Sequence, residues 1–93
     1  EISIAPMPST GEFFIFYKLE GSHEVQVTIR DLMGREVIKK TEYIINEYKQ
    51  DIDMSVQPKG MYFVDLIIMD DGAATGAGRI EADRYYMLKI ILE

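Results

Sequence analysis

Ninety-three residues, 47% of them hydrophobic and 28% charged, suit one globular domain spanning 1–93, which at this length buries roughly 60–70% of its unfolded surface. A formal net charge of −6 with no cluster of Lys or Arg excludes a nucleic-acid partner, because phosphate binding needs a basic stripe. The absence of cysteine removes disulfides and thiolate metal sites, and no apolar run nears the ~18 residues of a membrane span.

The chain opens on Glu1 with no initiator methionine and no signal-peptide pattern, so it reads as a piece of a longer polypeptide. The short run "ISIA" (2–5) is the first strand. In "PMPSTG" (6–11), Pro6 and Pro8 remove two backbone donors and fix the local φ, so the segment cannot continue a sheet interior and must bend the first strand into the second. "EFFIFYK" (12–18) is aromatic and β-branched, with apolar residues on both faces. After the turn signal "GSHE", "EVQVTIR" (24–30) alternates strictly, with Val25, Val27 and Ile29 inward and Gln26, Thr28 and Arg30 outward.

"DLMGREV" (31–37) is a tight hairpin connection in which Gly34 supplies φ > 0; such a turn needs the glycine but has no evident use for the guanidinium of Arg35. "REVIKK" runs on into "TEYIIN", and after a polar stretch "DIDM" places Ile52 and Met54 at period two. In "QPKGMYFV" (57–64), Pro58 and Gly60 build the turn that launches the strongest segment, and Tyr62 anchors the corner with a buried ring and a bonded hydroxyl. "GMYFVDLIIM" (60–69) is then a central strand and "RYYMLKII" (84–91) the last one. About seven strands separated by Gly, Pro, Asn and Ser signals, with no convincing helical spacing, give an all-β, antiparallel Greek-key sandwich.

Catalytic candidates are few. Ser22 and the single histidine, His23, are neighbours in a turn and have no third group to orient them, so an exposed turn is the expected state. Asp51 and Asp53 share a strand face that suits solvation better than acid–base work or calcium. The span 70–83, "DDGAATGAGRIEAD", reads as a loop; it fits no EF-hand or nonapeptide calcium pattern, and its glycine run lacks the Lys-Ser/Thr pair and following helix of a phosphate loop. No cofactor and no enzyme activity are expected. Exposed Tyr43, Tyr48, Tyr85 and Tyr86 would be needed for a glycan-binding face.

Taken in order, "PMPSTGEF", "DLMGREV", "PKGMYFV" and the terminal "LKII" resemble the type A carboxy-terminal sorting domain of proteins exported by the type IX (Por) secretion system of Gram-negative bacteria. The resemblance implies an immunoglobulin-like fold and a role as the label of a larger cargo protein. It implies recognition by the outer-membrane translocon, processing by a sortase-like peptidase, and export through the periplasm to the cell surface or beyond. Pro6, Pro8 and Gly11 match the first motif, Gly34, Arg35 and Val37 the second, and Pro58, Gly60, Tyr62 and Val64 the third. Lys89, Ile90 and Ile91 match the basic-aliphatic end. Departures are Met7, where the family usually has asparagine; Leu92 and Glu93, which lack the basic terminus and read as a tag remnant or an unusual end; and the long 70–83 loop. The terminal strand is expected to lie open at a sheet edge, where β-addition captures it. The alternative is an Ig-like accessory module, structural or adhesive, of a surface protein.

Overall fold

A computed structural model describes residues 1–70 and 84–93. They form five strands: β1 (Ile2–Ala5), β2 (Glu12–Arg30), β3 (Glu36–Asp53), β4 (Gly60–Asp70) and β5 (Arg84–Leu92). No helix occurs among the described residues, so none is long and apolar enough to cross a membrane.

The strand count corrects the expected seven. The segments "EFFIFYK" and "EVQVTIR" are one 19-residue strand, and the segments after Arg35 are one 18-residue strand paired with it antiparallel along most of its length. The glycine and asparagine signals, expected to separate strands, mark at Gly21 and Asn46 an irregularity within one strand pair. Between the pairs Lys18↔Glu47 and Ser22↔Ile45, three residues of β2 face a single residue of β3. Gly21 (φ 85) and Asn46 (φ 58) absorb this mismatch with left-handed backbone, and the Gly21 N–H donates to Asn46 Oδ1 at 3.0 Å. A bulge bends a strand without ending it.

Bending is obligatory here, because 19 residues of straight strand would reach about 60 Å, while the molecule's longest dimension is 45 Å. The first arm of β2 carries β1, with Ile4 opposite Ile15, and the second arm carries β4, with Val27 opposite Leu66. β5 pairs with the far side of β4, and β3 covers the other side of β2. The expected division into two sheets is therefore replaced by one connected antiparallel sheet curled into a half-barrel. Its concave face is the core: Phe13, Ile15 and Tyr17 from the first arm of β2 and Val25, Val27 and Ile29 from the second join Tyr62, Val64, Leu66, Ile68 and Ile90 in one buried cluster. Each such aliphatic side chain contributes roughly 1.5–3 kcal/mol by leaving water.

His23, expected in an exposed turn, is a buried residue within β2 at 6% exposure, its Nε2 lying 2.6 Å from the Glu20 carbonyl oxygen. It faces inward because the bulge keeps the odd residues of β2 on the concave side past Gly21.

Candidate recognition surface

The first motif is organised by a residue between its prolines and its glycine. Ser9 is 1% exposed, whereas Pro6 and Pro8, each after a cis peptide bond, lie at the surface. The Ser9 hydroxyl accepts from the Gly11 N–H (3.0 Å) and donates to the Glu12 carbonyl (2.9 Å). Its backbone N–H donates to the Ile91 carbonyl and its carbonyl accepts from the Glu93 N–H, both at 2.8 Å, in a parallel bridge to Leu92. Gly11, at φ 128, stacks so closely on the 54–57 turn that a Cβ there would lie 2.9 Å from Ser55 Cα. The sequence marker that would have pointed to Ser9 is a small hydroxyl two residues before a glycine, the spacing of a local side-chain turn.

In the second motif Gly34 has the expected positive φ (85°). Asp31 closes the loop: its Oδ1 accepts from the N–H groups of Met33 and Arg35, both at 2.9 Å, and its Oδ2 accepts from Arg35 Nε at 3.1 Å. These bonds, led by the one from the Arg35 backbone, hold the Asp31 carboxyl below the usual carboxylate range. Arg35 thus has a local use that the sequence reading denied it, yet its side chain stays 77% exposed. Val37 is the extra residue of a second bulge, between Ile29↔Ile38 and Arg30↔Glu36, and packs partly against the core. It shapes the turn's exit.

The third motif is built as expected: Gly60 takes φ 143, Tyr62 is 4% exposed, and its hydroxyl donates to the Pro58 carbonyl. Val64 is fully buried. At the fourth motif Lys89 is exposed opposite Phe63, Ile90 is wholly buried opposite Tyr62, and Ile91 is partly exposed opposite Met61. Ile90 is therefore a core residue and not a contact. Leu92, read above as a possible tag remnant, is 4% exposed and pairs with both Gly60 and Ser9. The outer side of β5 is accordingly taken at its end by Ser9, while no strand pairs with the outer side of residues 85–90 among the described residues. The open terminal edge is shorter than expected.

These four motifs, scattered over the sequence, meet at one end of the half-barrel. Ser9 touches Ile91 and Glu93, Leu92 and Ile91 lie beside Gly60 and Met61, and Asp31, Arg35 and Val37 share a shallow groove of about 270 Å³ with Pro58, Gly60 and Tyr62. The same end displays large apolar side chains: Leu32, Met33 and Val56 on turns, which the sequence reading did not single out, and Met7, two residues before Ser9, with Met33 91% exposed. Side chains this exposed contribute little to the core, and Leu32 and Met33 line the same groove as Arg35.

Residues 3–75 match the family described as the secretion system C-terminal sorting domain. The chain belongs to this family. A type IX sorting domain is thus a signal for secretion, which implies export to the cell surface or extracellular space and dealings with the secretion system and a cargo protein. The matched span holds the first three motifs of the sorting domain and ends before Lys89, Ile90 and Ile91. Among solved structures, the sorting domain is similar to WR4, a C. elegans member of the MSP family, at 15% identity and a TM-score of 0.52 over 99% of this chain and 97% of that one. At that identity the likeness is one of fold. A search of curated proteins gives no match.

The remaining candidates sit apart from this end. Tyr48, 39% exposed, stacks on Tyr17 with ring centroids 6.4 Å apart and Tyr86 packs against the core; Tyr43 and Tyr48 lie on β3 and the exposed Tyr85 on β5, strands separated by β2 and β4. Asp53 is held below the ordinary carboxylate range by the Ser55 side chain and N–H, a turn cap, and Asp51 is exposed. The calcium and phosphate-loop readings of 70–83 fall on residues that, apart from Asp70 at the end of β4, lie outside the described residues.

Proposed function

We propose that this domain is the export label of a larger cargo protein and that the outer-membrane translocon reads the end of the half-barrel where the four motifs meet. The convergence carries the reading: Arg35, Lys89, Leu32, Met33 and Ile91 are exposed there, while Ser9, Gly11, Tyr62 and Leu92 hold the backbone that presents them. Fixing these side chains on tight turns and a bridged strand end lowers the ordering cost of being bound. The label has no catalytic role of its own and needs no cofactor. A sortase-like peptidase cuts between cargo and label once the cargo has crossed, and the cargo remains at the surface.

The test is a full-length cargo bearing Arg35→Ala, Lys89→Ala or both. Both side chains are exposed and the one ion pair involved is a surface one, so the domain's thermal midpoint should move by no more than about 3 °C. Surface display of the cargo, followed by whole-cell immunoblot, should drop by at least about tenfold in the double variant. Normal display with both charges removed would refute the reading. Lost export traced to an unfolded domain would reduce the second motif to a turn.

A further inference from the structure

β3 is 18 residues long and, among the described residues, only β2 pairs with it. A free edge of that length invites strand addition, and lysines placed on it normally deter it. Its first arm holds Lys39 and Lys40, both exposed, followed two residues later by Glu42 and the 73%-exposed ring of Tyr43. This order is self-complementary about Thr41: the same distance to either side of it, Lys40 answers Glu42 and Lys39 answers Tyr43.

We propose that the first arm of β3 pairs antiparallel with the same arm of a second copy of this chain, around a twofold axis at Thr41. In a sheet continued across that axis with both concave faces on one side, facing residues have the same parity and their numbers sum to about 82. Lys40 then faces Glu42 of the second copy, and Glu42 faces its Lys40. On the convex side Lys39 lies against the Tyr43 ring of the other copy, and the converse, so two cation–aromatic contacts cover the exposed tyrosines. The neighbouring same-parity registers put Lys40 opposite itself or Glu42 opposite itself, and like charges facing across strands repel. A foreign strand lacking an acid at that spacing offers Lys39 and Lys40 no cross-strand partner, so the lysines select for self. The second arm has no such symmetry: centred on Gln50, it sets Glu47 against Asp53. This pairing owes nothing to the export reading, because β3 lies on the side of β2 away from the edge of β5.

Sedimentation equilibrium on the intact chain should give a dimer that strengthens with concentration. Lys40→Glu and Glu42→Lys should each weaken it by about tenfold or more, since symmetry repeats every like-charge pair twice, and the double variant K40E/E42K should recover most of the loss. The chain has no native cysteine, so Thr41→Cys should cross-link to itself under mild oxidation while Asp51→Cys should not. A chain that stays monomeric to its solubility limit overturns the proposal. So does a double variant no better than the singles, association that ignores these changes, or equal cross-linking at residues 41 and 51.

Discussion

Gly11 and Gly34 both carry positive φ, but the cost of replacing them differs in kind. At Gly34 a Cβ would meet nothing within 4 Å, so alanine there bears only the left-handed backbone penalty of about 1–2 kcal/mol. At Gly11 the same change drives a methyl group into the Ser55 backbone at a φ that side chains rarely adopt, and both effects are combined. Urea denaturation should show Gly11→Ala costing about 3 kcal/mol or more, and in any case more than Gly34→Ala. Asp31 makes a second residue-level prediction. Its folded pKa is depressed chiefly by the Arg35 N–H, so its contribution is complete above the unfolded carboxylate value near ~3.9 and is lost as pH falls through the folded value. Asp31→Asn should flatten this acid limb of the stability curve, measured as the denaturation midpoint from pH 7 down to pH 2. The turn itself was legible from Gly34. The partner of Arg35 was not, because a contact four residues back along a loop leaves no periodic trace.

At the scale of the element, the bend in the β2–β3 ribbon depends on two residues. Asn46 tolerates the left-handed region better than other side-chain-bearing residues and also accepts the Gly21 N–H. Asn46→Ala should therefore destabilise by about 1–2 kcal/mol, while Asn46→Gly, which keeps the backbone freedom and loses only an exposed hydrogen bond, should cost about half as much or less. Thermal melts of the two variants decide the matter; equal costs would mean that the hydrogen bond, and not the backbone, makes the bend. Alternation revealed the segments within each long strand and assigned the inward face of 24–30, but not that two such segments form one strand. Strand ends were misjudged at residues 18–24 and 46–51 because glycine, asparagine and polar residues mark bulges and reversals alike.

For the whole molecule, the decisive contact is the bridge from Ser9 to Leu92, which draws the end of β5 onto the segment entering β2. It ties the end of β5 to the segment between β1 and β2 at the end where the motifs gather. Leu92 is at once buried, paired with Gly60 and bridged to Ser9, so Leu92→Ala should destabilise by about 2–4 kcal/mol. Amide hydrogen exchange at Ser9 and Glu93 should accelerate along with it, and unchanged exchange would mean that the bridge stands without the side chain.

Alternating side chains determine, by the geometry of the extended chain, that this protein is an antiparallel all-β domain, and its first three motifs lie within the span that marks the sorting family. Period-two patterning reports which face of a strand is buried, and turn chemistry reports where φ must be positive. Neither reports whether a chain that bends comes back beside its neighbour or carries on past it. That choice rests on how three residues of β2 accommodate one of β3, and on a serine bridging to a leucine 83 positions away. Tertiary structure therefore decided the count of five strands among the described residues, the inward turn of His23 and the meeting of the motifs at one end.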